Sequence, residues 1–283
     1  MDTKHMYMTL WGSKINLDDL SESERSYIES LPIDKPAVDW VWEEMDRIWY
    51  DFGLNNKVSL SSQKNIAEFY RHPVWIMNGV FTEVDPVSSL HREAISTYLI
   101  NHNCRALADY GGGSGVLAKV LTNKDQDVTV DIVEPFASDF FKSKARDFNR
   151  VEFKDGYTGS LYDAVIAQDV LEHVENPIEI AYEMALHTKH GGVLVFANCF
   201  YPVIQCHLPI TFYLRYTFPV LMKVMGLEYL GTIPNAQHAL IFRNTNKVKL
   251  EYANKLEKYL KLVGFFLNIV VPVISRIRYS FNL

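Results

Sequence analysis

A short apolar segment that runs into a glycine-dense turn constrains this chain more than any other feature. Residues 106–110 read Ala-Leu-Ala-Asp-Tyr, and residues 111–115 read Gly-Gly-Gly-Ser-Gly. Glycine tolerates positive φ and has no Cβ, so such a turn can reverse sharply and approach a ligand closely. Residues 116–121 have the apolar spacing of a helix, whose amino end would present N–H groups to a negatively charged ligand group. The pattern predicts a strand, a turn and a helix, the first half of a βαβ unit with a nucleotide-type pocket.

Two cofactor patterns fit these glycines. Gly113, Gly115 and Ala118 fit the dinucleotide pattern G-x-G-x-x-A, and Glu134 lies near the spacing of the ribose-binding acid in that pattern. A second pattern, D-x-G-x-G-x-G, is formed by Asp109, Gly111, Gly113 and Gly115. This second pattern resembles the first motif of class I S-adenosylmethionine-dependent methyltransferases. The glycines alone do not decide between the two.

Four further segments resemble that family in the family's own order. Residues 128–134 and 151–155 read as the second and third strands, which end in Glu134 and Asp155. Residues 162–174 closely resemble the fourth strand and its following D-x-V-x-x-x-x-V-L-E-H-V motif, and residues 189–197 resemble the fifth strand. A dehydrogenase has no reason to carry the segment at residues 162–174. The resemblance therefore implies S-adenosylmethionine as the cofactor.

The resemblance also assigns roles to individual residues. It implies that Glu134 binds the ribose hydroxyls, since a carboxylate can accept from both of them, and that Asp155 contacts the adenine amine. We expect Gln168 and Asp169, at the end of the fourth strand, to lie near the cofactor. For Asp169 the physical reason is that a buried carboxylate without a partner is unfavourable.

The expected fold is α/β, a doubly wound Rossmann-like methyltransferase sheet. Residues 1–95 are expected to form a helical N-terminal cap, and residues 96–283 the cofactor-binding domain, with a substrate insertion at about 198–236 after the fifth strand. Within the cap, Ser21 and Glu24 fit a helix capping pattern, and residues 37–52 have apolar residues at helical spacing. The aromatic residues of this region are expected to form core or a lid that excludes water.

The C-terminal segment predicts a last strand pair around a closing helix. Residues 239–242 read as a strand, and a helix is expected near residues 247–262. The apolar run at 262–274 is too short to span a membrane and contains Asn268 and Pro272, so it is interpreted as a core strand. No stable membrane insertion is expected.

The charge and the cysteine content of the chain limit the classes of substrate and metal site that it can have. The formal net charge is −6 and there is no block of lysine or arginine, which disfavours a nucleic-acid substrate. The three cysteines, at 104, 199 and 206, lack paired zinc spacing and the density of a disulfide scaffold, so no metal site is predicted and reduced thiols in the cytoplasm are expected. The first six residues do not resemble a secretory signal.

The expected function is methyl transfer to a small-molecule acceptor by in-line attack on the sulfonium methyl group. If the acceptor is a hydroxyl, a base must remove its proton, and His207 and His238 are the candidates because both lie in the acceptor half of the chain. His173 is expected to have a structural or cofactor-side role.

Three alternatives stay open at this stage. A nucleophile could attack the aminocarboxypropyl chain of the cofactor, for example in a ring closure that releases methylthioadenosine. The chain could be an NAD-type reductase, on the pattern of Gly113, Gly115 and Ala118. It could also bind the cofactor without catalysis.

Overall fold

The N-terminal region combines one hairpin with five helices. The computed structural model describes residues 6–281 and the side chains up to residue 274, so the opening residues 1–5, on which the expectation about a secretory signal rests, lie outside it. The hairpin strands are β1 (Tyr7–Leu10) and β2 (Ser13–Asn16). The helices are α1 (Glu22–Glu29), α2 (Val38–Asp51), α3 (Ile66–Arg71), α4 (Val74–Val84) and α5 (Pro86–Asn101).

Local sequence signals explain these helices. Ser21 accepts a hydrogen bond from the backbone N–H of Glu24, and the Glu24 carboxylate accepts one from the N–H of Ser21, so the predicted capping box is confirmed. Pro73 separates α3 from α4. Buried aromatic and aliphatic side chains of this region, Trp49 and Phe69 among them, form an apolar cluster that also includes Phe140, Phe141 and Cys206.

A seven-stranded sheet follows, in the order β5-β4-β3-β6-β7-β9-β8. Its strands are β3 (Ala106–Tyr110), β4 (Thr129–Val133), β5 (Val151–Lys154), β6 (Tyr162–Gln168), β7 (Thr188–Ala197), β8 (Leu227–Ile233) and β9 (Ala236–Asn244). The first five strands pair in parallel, and β9 pairs antiparallel with both β7 and β8. The order reverses between β3 and β6, and in such sheets ligands bind beyond the carboxyl ends of the strands at that switch point.

Helices cover the sheet and confirm the α/β expectation. They are α6 (Val116–Lys124), α7 (Asp139–Ala145), α8 (Pro177–Leu186), α9 (Leu214–Met225) and α10 (Leu250–Phe281). Two apolar clusters fill the space between the sheet and the helices. Helix α5 runs across residue 95, so the two expected regions share one uninterrupted helix. The segment 198–236 contains α9 and also β8, which belongs to the sheet.

The expectation of a core strand at residues 262–274 is wrong. The whole run lies in α10, and Leu262 and Ile269 are 78% and 69% exposed. Strand β8, which comes from the predicted insertion, occupies the sheet position beside β9. Because apolar residues recur three and four positions apart here, the run also fits one face of a helix. Between residues 6 and 281, no helix combines the length and the hydropathy that crossing a bilayer requires.

Candidate functional site

The glycine turn lies at the carboxyl end of β3, where the strand order reverses. Gly111, Gly113 and Gly115 all have positive φ, the last of them as the residue that precedes α6. Gly111 also permits a close approach, since a Cβ there would lie 2.5 Å from Cγ2 of Val170 in the loop after β6. The N–H of Gly111 donates to the carbonyl of Val133 at the end of β4, 2.9 Å away. The turn is thus held against both neighbouring strands.

A cavity of about 580 Å³ opens at this turn. The loops after β3, β4 and β6 form one wall, and α3, α4 and the start of α5 form the other. The site therefore lies between the sheet and the N-terminal region, and Tyr70 and Trp75 supply part of its cover.

Two carboxyl groups, one buried and one half-buried, line the sheet side of the cavity. Asp109, the fourth residue of β3, is only 2% exposed, and burial together with the nearby charge of Glu134 raises its pKa to about 7. Glu134 follows β4 and accepts the N–H of Phe136 at 3.0 Å. Burial raises the pKa of Glu134, while the N–H groups of Phe136 and Gly113 oppose that effect. A ligand with a positive charge would favour the ionised form of both groups.

Aromatic rings line the opposite side. The ring of Tyr70 stacks on Trp75, with centroids 5.4 Å apart, and on Phe136, with centroids 5.5 Å apart. The Tyr70 hydroxyl and the Trp75 Nε1 are both buried, and neither has a hydrogen-bond partner among the described residues. Buried polar groups are normally hydrogen-bonded, so these two atoms are unsatisfied groups within the aromatic side of the site.

The third part of the wall follows β6. Gln168 ends that strand, and Asp169 adopts φ of 54°, a conformation that few residues other than glycine adopt. The N–H of Asp169 donates to the carbonyl of Ala197 at the end of β7, 2.7 Å away. The Asp169 carboxyl is exposed to the cavity, and desolvation by the surrounding loops raises its pKa.

His173 lines the same end of the cavity. Its Nδ1 lies 3.1 Å from the carbonyl of Cys206, to which it can only donate, so Nε2 is the unprotonated nitrogen. Burial and the neighbouring His207 lower the pKa of His173 to about 3, which keeps the ring neutral. The His173 ring packs edge-on against Trp75, with centroids 6.2 Å apart, and joins the aromatic side of the cavity to the β6 side.

The structure brings most of the predicted cofactor residues together. Those that line the cavity are Asp109, Gly111, Gly113, Glu134, Gln168 and Asp169. Gly115 does not line it, but a Cβ there would lie 2.7 Å from Ile132, so this glycine lets the turn pack on β4. Asp155 lies apart, beside a separate hollow with Arg146 and Phe153.

The two predicted catalytic histidines lie outside the cavity lining. His207 is buried behind His173, with the ring centroids 4.8 Å apart. His238 is in β9, and its ring contacts His91 of α5 with centroids 4.4 Å apart. Their roles in catalysis stay predictions. Sequence reasoning gave His173 less weight than these two, although the family-like motif at 162–174 contains it.

Comparisons with known proteins agree with this geometry. Residues 93–240 match a family model described as a methyltransferase domain. Curated relatives include two ubiquinone biosynthesis O-methyltransferases. The one from Rickettsia felis is 24% identical over 153 residues, which cover 50% of this chain and 63% of the relative. The one from Rickettsia akari is 25% identical over 154 residues, which cover 50% of this chain and 61% of the relative. The matched part thus spans less than two thirds of either relative.

A solved structure extends the similarity to most of the fold. An O-methyltransferase family protein from Burkholderia thailandensis superposes with a TM-score of 0.54 at 14% identity, covering 85% of this chain and 80% of that one. At this identity the likeness concerns the fold, and it covers more of this chain than the family model does.

Proposed function

We propose that this chain, which belongs to the class I S-adenosylmethionine-dependent methyltransferase family, methylates a hydroxyl group of a small molecule bound in the cavity. Its cofactor is S-adenosylmethionine. When bound, this cofactor supplies a methyl group on a positively charged sulfur. The observation that carries the proposal is the cavity itself, in which the carboxyl groups of Asp109 and Glu134 face stacked aromatic rings at the switch point of the sheet.

The residues present fit this cofactor. The ionised forms of the buried Asp109 carboxyl and the half-buried Glu134 carboxyl would be favoured by a cationic ligand, and Glu134 can also accept from ribose hydroxyls. The ring of Trp75, which lines the cavity, attracts a positive charge.

Asp169 is the residue that we assign to proton removal from the acceptor. It lines the cavity beyond the glycine turn, where its side chain is exposed to the cavity. Desolvation by the surrounding loops raises its pKa and makes it a stronger base than an ordinary aspartate. The neutral His173 beside it can accept a hydrogen bond at Nε2 and orient the acceptor. An oxygen acceptor is favoured by the names of the relatives, which are O-methyltransferases.

The experiment follows the products. Purified protein is incubated with methyl-labelled S-adenosylmethionine and matched panels of small aromatic alcohols and amines. The proposal expects S-adenosylhomocysteine and a labelled ether. Release of methylthioadenosine, or label found only in amines, would contradict it.

The role of Asp169 has its own measurement. Since a base acts in its deprotonated form, methyl transfer should rise with pH through the pKa of Asp169, above the ordinary carboxyl value of about 4. Asp169→Asn should lose at least about 100-fold in kcat, the lower range of a general-base contribution. Asp127→Asn, at an exposed loop position, is the matched control and should keep the wild-type profile. An unchanged kcat in Asp169→Asn would move the base elsewhere.

A further inference from the structure

Three side chains with metal-ligating atoms meet behind the β6 end of the cavity. Glu172 lies in a short 3-10 helix after β6, Cys199 lies two residues after β7, and His207 lies in the segment between β7 and α9. One ligand atom from each residue lies within 4.8 Å of the other two. Glu172 is 27 positions from Cys199 in sequence, so the fold brings it to the other two residues.

The Glu172 carboxylate is incompletely bonded. Its Oε1 accepts the N–H of Cys199 at 2.8 Å, which fixes the side chain toward the end of β7. Its Oε2 is buried and has no partner among the described residues, and the residue as a whole is fully buried. A buried acceptor in this state is unfavourable unless a ligand satisfies it.

The hydrogen bonding of His207 is typical of a metal ligand. Its Nδ1 lies 2.9 Å from the carbonyl of Tyr201, and because a carbonyl only accepts, Nδ1 carries the proton. The lone pair is therefore on Nε2. Histidines that bind metals almost always donate the other ring N–H to a carbonyl or carboxylate in this way. The N–H of Leu208 donates to the carbonyl of Glu172, 2.9 Å away, and holds the two segments in register.

We infer that Glu172, Cys199 and His207 bind one divalent metal ion of the zinc class. Carboxylate oxygen, thiolate sulfur and imidazole nitrogen are all zinc ligands, and three protein ligands leave a fourth tetrahedral position for water. Tetrahedral ligands at zinc bond lengths lie about 3.5 Å apart, so binding draws the side chains inward by at most about 1 Å. Binding displaces the protons of the Cys199 thiol and of the Glu172 carboxyl to solvent.

The ion would join three segments of the chain that lie at one end of the cavity. The loop after β6 also carries Asp169, and His207 packs directly against His173, which lines the cavity. A metal ion at this point holds those residues in place without touching the cofactor turn around Gly113. This site stands independently of the proposed acceptor and cofactor chemistry, because its ligands are outside the cavity lining.

The test uses cobalt as a spectroscopic substitute for zinc. The full chain, stripped of metal with a chelator and kept reduced, is titrated with Co²⁺. We expect one equivalent to bind with a thiolate-to-cobalt charge-transfer band and the intense visible bands of a tetrahedral site, and Zn²⁺ to abolish both. Absence of the charge-transfer band, or binding well below one equivalent, would overturn the inference.

Two cysteine variants identify the ligand. Cys199→Ser should lose the charge-transfer band, whereas Cys206→Ser, a buried cysteine next to His207 but outside the triad, should keep it. A band that survives in Cys199→Ser, or that disappears only in Cys206→Ser, contradicts the proposed ligand set.

A stability measurement covers the case in which Cys199→Ser does not fold. A saturating concentration of Zn²⁺, at 100 times its Kd, stabilises a protein by about 2.7 kcal/mol. Wild type should therefore melt several degrees higher with Zn²⁺ than with chelator, and Glu172→Gln should lose that difference. An equal shift in wild type and Glu172→Gln would show that zinc binds elsewhere.

Discussion

Asp109 occupies a position that favours ligand binding over stability. Its pKa is about 7 in the folded protein, against about 3.9 for an ordinary aspartate. Between these two pKa values the folded protein keeps the proton on Asp109 while the unfolded chain releases it. The free energy of unfolding therefore falls as the pH rises from about 4 through 7. The burial that makes Asp109 receptive to a cationic ligand therefore weakens the ligand-free protein at neutral pH.

Asp109→Asn should stabilise the cofactor-free protein at pH 8 by an amount on the order of 2 kcal/mol, because it removes a buried charge. The gain should vanish near pH 4, where the wild-type group is protonated. Urea unfolding at the two pH values measures this. Asp127→Asn, which is exposed, should change neither value. Equal stability of Asp109→Asn and wild type at pH 8 would mean that Asp109 is not desolvated in solution.

Gly113 allows a second test at a single residue. It has φ of 51° and lines the cavity, yet a Cβ there would meet only the carbonyl of Gly111, at 3.9 Å. Gly113→Val should therefore fold, with roughly 1–2 kcal/mol of backbone strain, and bind S-adenosylmethionine at least about tenfold more weakly. Calorimetry measures the affinity, and denaturation measures the strain.

Gly156→Val is the matched control for this variant. Gly156 is exposed, its φ is outside the positive range, and nothing lies within 4 Å of its ideal Cβ. It should bind the cofactor as wild type does. If Gly113→Val bound equally well, the glycine turn would not be the cofactor site.

At the scale of elements, α10 is held by a close crossing in addition to the apolar contacts of Ala253, Leu256 and Leu260 with the core. A Cβ on Gly264 would lie 2.1 Å from the carbonyl of Tyr213, next to the start of α9. Asn268 Nδ2 donates to the carbonyl of Phe212 at 2.8 Å. The exposed side of the helix, with Leu262 at its centre, contributes little to this attachment.

Gly264→Ala should therefore destabilise the protein by about 1–3 kcal/mol, although alanine is the better helix former. Leu262→Ala, two residues away and exposed, should change the free energy of unfolding by less than about 0.5 kcal/mol. Denaturant unfolding of both variants is the measurement. A stabilised Gly264→Ala would show that α10 does not cross Tyr213 at this distance.

The elements that the sequence predicted well are those with local signals. The β3 strand, the glycine turn and α6 were predicted because apolar runs, glycines and helical spacing occur within 20 residues. The strand at 262–274 was wrong because a short apolar run does not distinguish a strand from one face of a helix. The aromatic wall at Tyr70 and Trp75, and the cluster at Glu172, depend on contacts between distant segments, which periodicity does not report.

At the scale of the whole molecule, α2 and the segment that follows it connect the N-terminal region to the segments after β6 and β7. The N–H of Gln205, in the segment after β7, donates to Asp46 of α2 at 2.6 Å. Asn56 donates to the carbonyl of the same Gln205 at 2.9 Å, and the N–H of Leu60 donates to Glu175 at 3.1 Å. These bonds connect the two regions beside the cavity that lies between them.

Asp46→Ala should loosen this connection. It leaves the Gln205 N–H without its acceptor, which costs about 1–3 kcal/mol, and should speed hydrogen exchange in residues 38–51 and 199–208 together. Asp51→Ala, on the same helix, removes only an exposed ion pair with Arg47 and should cost less than about 1 kcal/mol. Faster exchange confined to one of the two segments would mean that they open independently.

The aromatic wall also equips the protein with an optical reporter. Of the five tryptophans, Trp75 lines the cavity. Its indole N–H has no hydrogen-bond partner among the residues that the structure describes. An arriving ligand that supplies an acceptor or a positive charge alters the surroundings of this fluorophore, and hence its emission. Occupancy can therefore be followed by intrinsic fluorescence with no label attached, and Trp75→Phe provides the silent reference.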